Sequence, residues 1–332
     1  MNLQRRIELL TRLGTYMQGN NEQWQNTKQK AYLENHWFIP QFVDLAVNNI
    51  AQKFLQPTQL QSLADTYHLA EENRNPKKIG IVMAGNIPLI GLYDVICVFL
   101  NGNYALIKPY AKDEALIKHL IEKLIEWEPE TEKWIVLAPM IRNCDAYVVT
   151  ESKHSSDSFA KYFQKYPTLV RKKATCVAIL SGKETNEDLE KLADDVFQYF
   201  GLSCKNVSKI FVPEDYDFIP LLNAFNKYDY LIDHHKYKNN YDYMLTAHIL
   251  NNKYYMTNGS ILLVEDESNF SPISQIHFEY YKDEYELRKK LQNDETIQNI
   301  VSLNNHSFGE ARLSVTCSTV EDDIMKFLQT LN

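Results

Sequence analysis

The sequence predicts an α/β protein in which a Rossmann-type doubly wound parallel sheet is followed by a second α/β lobe. Three observations carry that prediction. From Lys78 onward, strand-length apolar runs alternate with helical patterns of about ten to fifteen residues, the alternation that builds parallel sheets through crossover helices. The 332-residue length suits two domains of roughly 100 to 200 residues each. Hydrophobic residues make up 45% of the chain, ample for packed interiors.

Residues 5–17 and 41–71 carry the three- and four-residue apolar spacing of helices. The polar stretch QGNNEQWQNTKQ separates them and Pro57 breaks the second, so this region reads as a helical lead-in. After a polar linker at 73–78 come strand IGIVMAG, a helix from Pro88 to Leu100, strand YALIKP, helix DEALIKHLIEKLIEWE and strand KWIVLAP. Strand AYVVTE, a helix around SDSFAKYFQKY and a strand near CVAIL continue the pattern. Ligands of such sheets bind at the carboxyl ends of the strands, where Gly85, Lys108 and Thr150 fall. Leu189, Leu192, Ala193, Val196, Phe197 and Phe200 then mark an amphipathic helix with Gly201 at its left-handed C-cap, and Lys209 to Val212 reads as a strand. Beyond Pro213 the expectation is a second α/β lobe with helices at 218–225, 285–292 and 321–331 and a strand ILLVE. The expected divisions are a lead-in plus cofactor domain at 1–180, a domain carrying the chemistry at 181–303, and a return segment at 304–332.

Composition narrows the function. A net charge of −8 provides no broad basic surface, which disfavours nucleic acid and favours a small-molecule or protein partner. Five widely separated cysteines with no CxxC pair fit a reducing cytoplasm, and neither a disulfide framework nor a zinc site; no metal is expected. MNLQRRIELL lacks the apolar core of a signal peptide. The apolar run from Ile79 to Leu100 is long enough to span a bilayer, but Asn86, Pro88 and Asp94 interrupt it, so a strand, a turn and a buried helix are expected instead.

Cys204 stands beside Lys205 in a short helix-to-strand connection, the kind of loop in which a scaffold presents a reactive thiol; as a free cysteine it could equally be a buried small hydrophobe. Cys97 and Cys176 lie in apolar runs and are expected in the core. In Met83-Ala84-Gly85-Asn86-Ile87-Pro88, glycine admits a close approach, and Asn86 either donates to an oxyanion or caps the next helix. There is no GxGxxG fingerprint. Lys108 either holds ribose hydroxyls or a phosphate or is simply solvated, and Arg171-Lys172-Lys173 either meets a phosphate or forms a charged strand flank. The adjacent His234 and His235 diverge in direction, which disfavours a shared metal.

Taken together, GNIPLIGLYDVICVFLNGNYALIKP, the TES segment, FQYFGLSCKNVSKIFVP and DHHKYKNNYDY resemble the acyl-CoA reductases of the bacterial luminescence type, a short branch of the aldehyde dehydrogenase superfamily. The likeness runs from about Ile79 to about Leu291 in order and spacing. It implies an aldehyde-dehydrogenase-like fold with a Rossmann-like cofactor domain, NADPH as cofactor, and reduction of an acyl thioester, on CoA or a carrier protein, to an aldehyde. It further implies Cys204 as nucleophile, Asn86 as oxyanion-stabilising amide and Lys108 on the adenosine ribose, with Gly85 in the same turn. Thr150 and Ser152 match the flanks of a Thr-Gly-Ser element near the pyrophosphate and nicotinamide, and Phe270 of NFSPI matches an aromatic beside the cofactor. A homo-oligomer is left open. Four departures stand out. Glu151 replaces a glycine, and Ala111 replaces a glutamate that grips both ribose hydroxyls, which leaves room for a 2′-phosphate. Ala178 to Gly182 lacks the glutamate that activates water in aldehyde oxidisers, and the tail SFGEARLSVTCSTVEDD keeps only its Phe-Gly start. Because hydrolysis of an acyl enzyme needs a base and reduction of a thioester does not, reduction is the expected direction. An NAD(P)-dependent aldehyde dehydrogenase and a non-catalytic partner subunit are the alternatives.

Overall fold

The computed structural model describes residues 1–150, 163, 165–171, 174–304, 307–309 and 323–331. Two compact units divide the chain: Met1–Lys172 with Thr319–Asn332, and Lys173–Ser318.

The first unit begins with four helices, α1 (Leu3–Gln18), α2 (Glu22–Glu34), α3 (Pro40–Lys53) and α4 (Pro57–Thr66). Helix α2 occupies the polar stretch that the sequence leaves as a separator. Asn21 caps it by accepting the N–H of Gln23 and of Trp24, and it buries only Trp24 and Ala31. Periodicity cannot show a helix anchored at two points, one of them a tryptophan stacked on His119 with ring centroids 5.5 Å apart. Pro57 opens α4 at its first position, where its missing N–H costs nothing.

A five-stranded sheet follows, built from β1 (Lys78–Val82), β2 (Tyr104–Lys108), β3 (Ile135–Leu137), β4 (Ala146–Thr150) and β5 (Thr168–Arg171). Its order is β3-β2-β1-β4-β5 with every neighbour pair parallel, the doubly wound arrangement expected. Alternation along β4 shows both faces buried: Ala146 and Val148 join the large core beneath α1, α5 (Leu92–Leu100) and α6 (Glu114–Trp127), while Tyr147 and Val149 pack with Ile141, Cys144 and Phe163. The apolar run 79–100 is thus a strand, a turn and a buried helix. No helix among the described residues is long and apolar enough to cross a membrane.

The second unit holds a six-stranded sheet of β6 (Thr175–Ile179), β7 (Val207–Pro213), β8 (Met256–Thr257), β9 (Leu262–Glu265), β10 (Gln275–Tyr281) and β11 (Ile297–Val301), ordered β11-β6-β7-β10-β9-β8. All pairs are parallel except β8 with β9. The sequence reading closes the first domain at 180, after β6. In the structure β6 hydrogen-bonds β7 and β11, so it belongs to the second unit and the division falls at Lys172. Its helices are α7 (Asn186–Phe197), α8 (Ile219–Phe225), α9 (His235–Leu250) and α10 (Glu284–Gln292). The chain end returns to the first unit as α11 (Ile324–Gln329), which buries Met325 and Leu328 and is tied to Tyr67 through Asp323, with Oδ2 2.5 Å from the phenol.

Candidate active site

In the second unit the site is built by the way α7 ends. Thr185 and Asp188 form a capping box at its start. The helix stops at Phe197, three residues short of the end expected from apolar spacing, because Tyr199 (φ 55°) and Phe200 (φ 57°) turn left-handed ahead of Gly201 (φ 70°). For a residue with a Cβ that conformation costs roughly 1 to 2 kcal/mol. Packing offsets it: Phe200 is buried, with its ring 4.7 Å from that of His234 and 5.8 Å from that of Tyr237. His234 in turn caps α9, its Nδ1 accepting the N–H of Tyr237, while His235 points away exposed. His234 thus backs the left-handed turn at Phe200, and among the described residues no cluster that could hold a metal includes the pair.

Cys204 lies half-buried in the turn Ser203–Asn206, at the amino end of β7. The sequence reading passed over Asn206, which holds this turn. Its buried amide Nδ2 donates to the carbonyls of Asp195 (2.8 Å), Val196 (3.2 Å) and Gln198 (3.0 Å), and its Oδ1 accepts the N–H of Ser203 (2.9 Å). One side chain thus serves carbonyls that the end of α7 leaves without helical partners and closes the cysteine turn. Asp195 is fully buried and accepts the N–H of Gly309 at 2.7 Å, so the Phe308-Gly309 start of the tail is anchored to the same helix end. Cys97 and Cys176 are buried in the core as expected, Cys144 is buried as well, and burial pushes the Cys176 thiol up to about 12.

Phe270 lies at the amino end of β10, in a loop whose consecutive carbonyls are gripped from β7 and β10. Lys209 Nζ donates to Glu267 (2.7 Å), His277 Nδ1 to Ser268 (2.9 Å), and the Ser208 hydroxyl to Asn269. Ser208 Oγ is also 2.6 Å from Thr175 Oγ, which lies 3.2 Å from the carbonyl of Asn206. Thr175, whose single hydroxyl proton can go to either, thus lies between Ser208, which holds the Phe270 loop, and the last carbonyl of the Cys204 turn. Burial holds the His277 imidazole below its usual 6.5; its Nε2 meets Gln275, which in turn meets His248 at 2.8 Å. Just after Ala178 to Gly182, Glu184 is engaged by its own turn, accepting the Ser181 N–H and hydroxyl and the Gly182 N–H.

In the first unit, Gly85, Lys108 and Thr150 lie at the carboxyl ends of β1, β2 and β4 as expected. A Cβ on Gly85 would stand 2.0 Å from Cδ1 of Tyr110, so the absence of a side chain lets that ring lie on the backbone. Helix α5 starts at Leu92 rather than Pro88, with Gly91 as its N-cap, so Asn86 does not cap it. The chain between them turns through Leu89, whose φ is 57°. Lys108 is exposed at the end of β2. Arg171 is bound to Asp94 at 2.5 Å, and that buried carboxylate removes it as a free phosphate ligand. Ser152 and Glu151 lie outside the described residues, as do Lys172, Lys173 and Cys317, and nothing of the Thr150 side chain is described.

With both units in view, solved structures supply the fold. The NAD-dependent aldehyde dehydrogenase of Sinorhizobium meliloti matches with a TM-score of 0.64 at 11% identity over 94% of this chain and 72% of that one. The chain has the aldehyde dehydrogenase fold. Aldehyde dehydrogenase 21 of Physcomitrella patens, in complex with succinate, matches with a TM-score of 0.66 at 12% identity over 92% and 73% of the two chains. PnpE in complex with nicotinamide adenine dinucleotide matches at 0.66 and 13% over 91% and 73%. No protein-family model and no curated protein sequence matches.

Proposed function

We propose that the protein is an NADPH-dependent acyl-CoA reductase that converts an acyl thioester to an aldehyde through an acyl-cysteine. The observation that carries this reading is Cys204: within an aldehyde dehydrogenase fold, it alone of the described cysteines escapes burial, in a turn that Asn206 holds. The Cys204 thiolate attacks the thioester carbonyl, and the oxyanion that forms is met by the Asn86 amide. The carbon–sulfur bond to CoA then breaks and CoA leaves as a thiol. When bound, the reduced nicotinamide cofactor supplies the hydride that reduces the acyl group. The resulting thiohemiacetal on Cys204 loses its hydroxyl proton and its bond to sulfur, which frees the aldehyde and returns the thiolate. Gly85, Lys108, Thr150, Ser152 and Phe270 are assigned to the cofactor. Gly85 fits that role because its missing side chain leaves the backbone open at a strand end. The absence of a glutamate at Ala111 favours NADPH over NADH.

NADPH consumption against acyl-CoAs of increasing chain length is expected to show turnover that Cys204→Ala abolishes; a Cys204→Ala enzyme with wild-type activity overturns the reading. Iodoacetamide is expected to label Cys204 before Cys97, Cys144 or Cys176. A second reading, oxidation of an aldehyde, is favoured by the names of the structural neighbours. The engagement of Glu184 within its own turn stands against it, since water attack on the acyl enzyme needs a base and this carboxylate is held by other donors. NADP reduction on aldehydes without NADPH oxidation on acyl-CoA would select it.

A further inference from the structure

Three buried polar side chains meet between β10 and α9 and have no role in the mechanism above. Gln275 and His277 stand two apart on β10, so their side chains leave the same face of the sheet. His248 meets them from the end of the buried stripe of α9, which runs Tyr237, Tyr241, His248. Polar groups buried where a helix packs on a sheet cost free energy unless each is paired. These are paired in a chain. His248 Nε2 lies 2.8 Å from Gln275 Oε1, Gln275 Nε2 lies 2.8 Å from His277 Nε2, and His277 Nδ1 lies 2.9 Å from the carbonyl of Ser268.

The last member of the chain fixes the hydrogens of the others. A carbonyl only accepts, so His277 carries a proton on Nδ1. Gln275 presents its amide N–H to His277 Nε2, so that nitrogen is the acceptor and the ring holds one proton. The oxygen of the same amide then takes the Nε2 proton of His248. An amide set between two imidazole nitrogens has one donor side and one acceptor side, so one of the two facing nitrogens carries a proton and the other does not. Were the amide reversed, His277 would be an imidazolium donating from both nitrogens, and His248 would have to keep its proton on Nδ1. The titratable and charged groups about His277 are Asp266, 3.8 Å from Nδ1, Lys209 on β7 with its partner Glu279, and His248. Burial is the largest influence on the ring and disfavours the imidazolium, in agreement with a single proton.

We propose that Gln275 is the positioning residue of the Phe270 loop: by donating to His277 Nε2 it confines the ring proton to Nδ1, where the Ser268 carbonyl requires it. Lys209, which grips the adjacent carbonyl of Glu267, is a donor in any orientation. His277 holds its carbonyl in only one of two tautomers, and the other sets a lone pair against the oxygen. The amide of Gln275 removes that alternative, and His248 keeps the amide from turning round. As a determinant of cofactor binding through Phe270 this rests on the function proposed above; as an assignment of the ring protons it does not.

The test uses the full chain with isotope-labelled histidine rings and reads which ring nitrogen carries a proton from long-range proton–nitrogen correlation spectra at about pH 8, above the ordinary histidine range. Signals of His277 are assigned by their loss in His277→Asn. In the wild type, His277 is expected to be protonated on Nδ1 and bare on Nε2, and His248 to be protonated on Nε2. Gln275→Leu, which has no N–H to give, is expected to release His277 to a mixture of tautomers and to speed amide exchange at Ser268 and Phe270 about threefold to fivefold. Gln275→Glu, whose carboxylate accepts from both rings, is expected to place a second proton on His277 Nε2 while the Ser268 bond and the exchange rates stay near wild type. With acyl-CoA and NADPH, Gln275→Leu is expected to raise KM for NADPH about threefold to fivefold with kcat within about twofold, and Gln275→Glu to keep KM within about twofold of wild type. Wild-type His277 protonated on Nε2 overturns the proposal, and that spectrum decides even where a variant fails to fold. A Gln275→Leu protein that keeps the pure Nδ1 form, or a Gln275→Glu protein with Nε2 still bare, overturns it as well. If the wild-type protein turns over no acyl-CoA, the functional reading fails while the ring spectra still decide the role of Gln275.

Discussion

Replacing Asn206 with alanine tests how the candidate site is held together. The side chain supplies two N–H donors shared among the carbonyls of Asp195, Val196 and Gln198, and an oxygen that accepts the N–H of Ser203, all at 2.8 to 3.2 Å and at a residue only 2% exposed. Three buried hydrogen bonds at about 1 kcal/mol each, with a further cost for the Ser203 N–H left unpaired, give a loss of about 3 to 5 kcal/mol. Asn206→Asp keeps the acceptor but turns an oxygen toward the three carbonyls, so it is expected to fare no better. Urea unfolding should show a lower midpoint with an unchanged slope, and thermal unfolding a drop of roughly 10 °C. Hydrogen exchange should localise the loss to the amides of Ser203 and Lys205. A destabilisation below about 1 kcal/mol, with those amides still protected, would refute the claim that this one side chain closes the cysteine turn.

Gly85→Ala places a Cβ 2.0 Å from the Tyr110 ring, so it is expected to weaken NADPH binding about tenfold by calorimetry, and Tyr110→Ala in the same chain should recover part of the loss. Asp113, whose acid is raised in the folded state, adds stability that is complete below the unfolded-state value near 4 and lost as pH rises toward its folded value. Asp113→Asn should therefore be more stable than wild type at neutral and alkaline pH, with the gap closing toward about pH 4; a gap that widens in acid would contradict the burial argument. His277, held below its usual 6.5, acts in the opposite sense: its contribution is present above that value and lost as pH falls through the folded value. Unfolding midpoints should accordingly fall as the pH drops below about 6.5, and His277→Asn, whose amide can still reach the Ser268 carbonyl, should flatten that slope.

The first sheet was legible because buried parallel strands are written as continuous apolar runs between helices of helical period, and both signals are local. The placement of Gly85 and Lys108 at strand ends, and of Cys204 in a short connection ahead of β7, follows from the same reading. Less was visible where a residue's role depends on a distant partner. Helix α2 is hidden because it buries only two residues, one of them Trp24, which answers to the distant His119. The sequence reading took Phe200 as helical, since a buried aromatic at the right spacing looks the same whether the backbone is right- or left-handed; the ring of His234 is what holds it in place. Asn206 offered a faint signal, a turn-forming residue two positions after the cysteine. Asp113 offered a misleading one, since aspartate before an amphipathic helix reads as its cap.

What the sequence determined by itself was the order of strands and helices, the strand ends where small and charged residues gather, and the place of Cys204 in a short helix-to-strand connection. All of these follow from hydrophobic period and from turn residues that act over a few positions. Only the tertiary structure decided that β6 joins the second sheet, that α7 ends in a left-handed turn, that Asn206 closes the cysteine turn and that the Asp113 side chain does not cap its own helix. Each of these is settled by hydrogen bonds and ring contacts between residues far apart in the chain or turned against their local preference. The free energy of such contacts depends on burial and on the partner available in space, which no local pattern encodes.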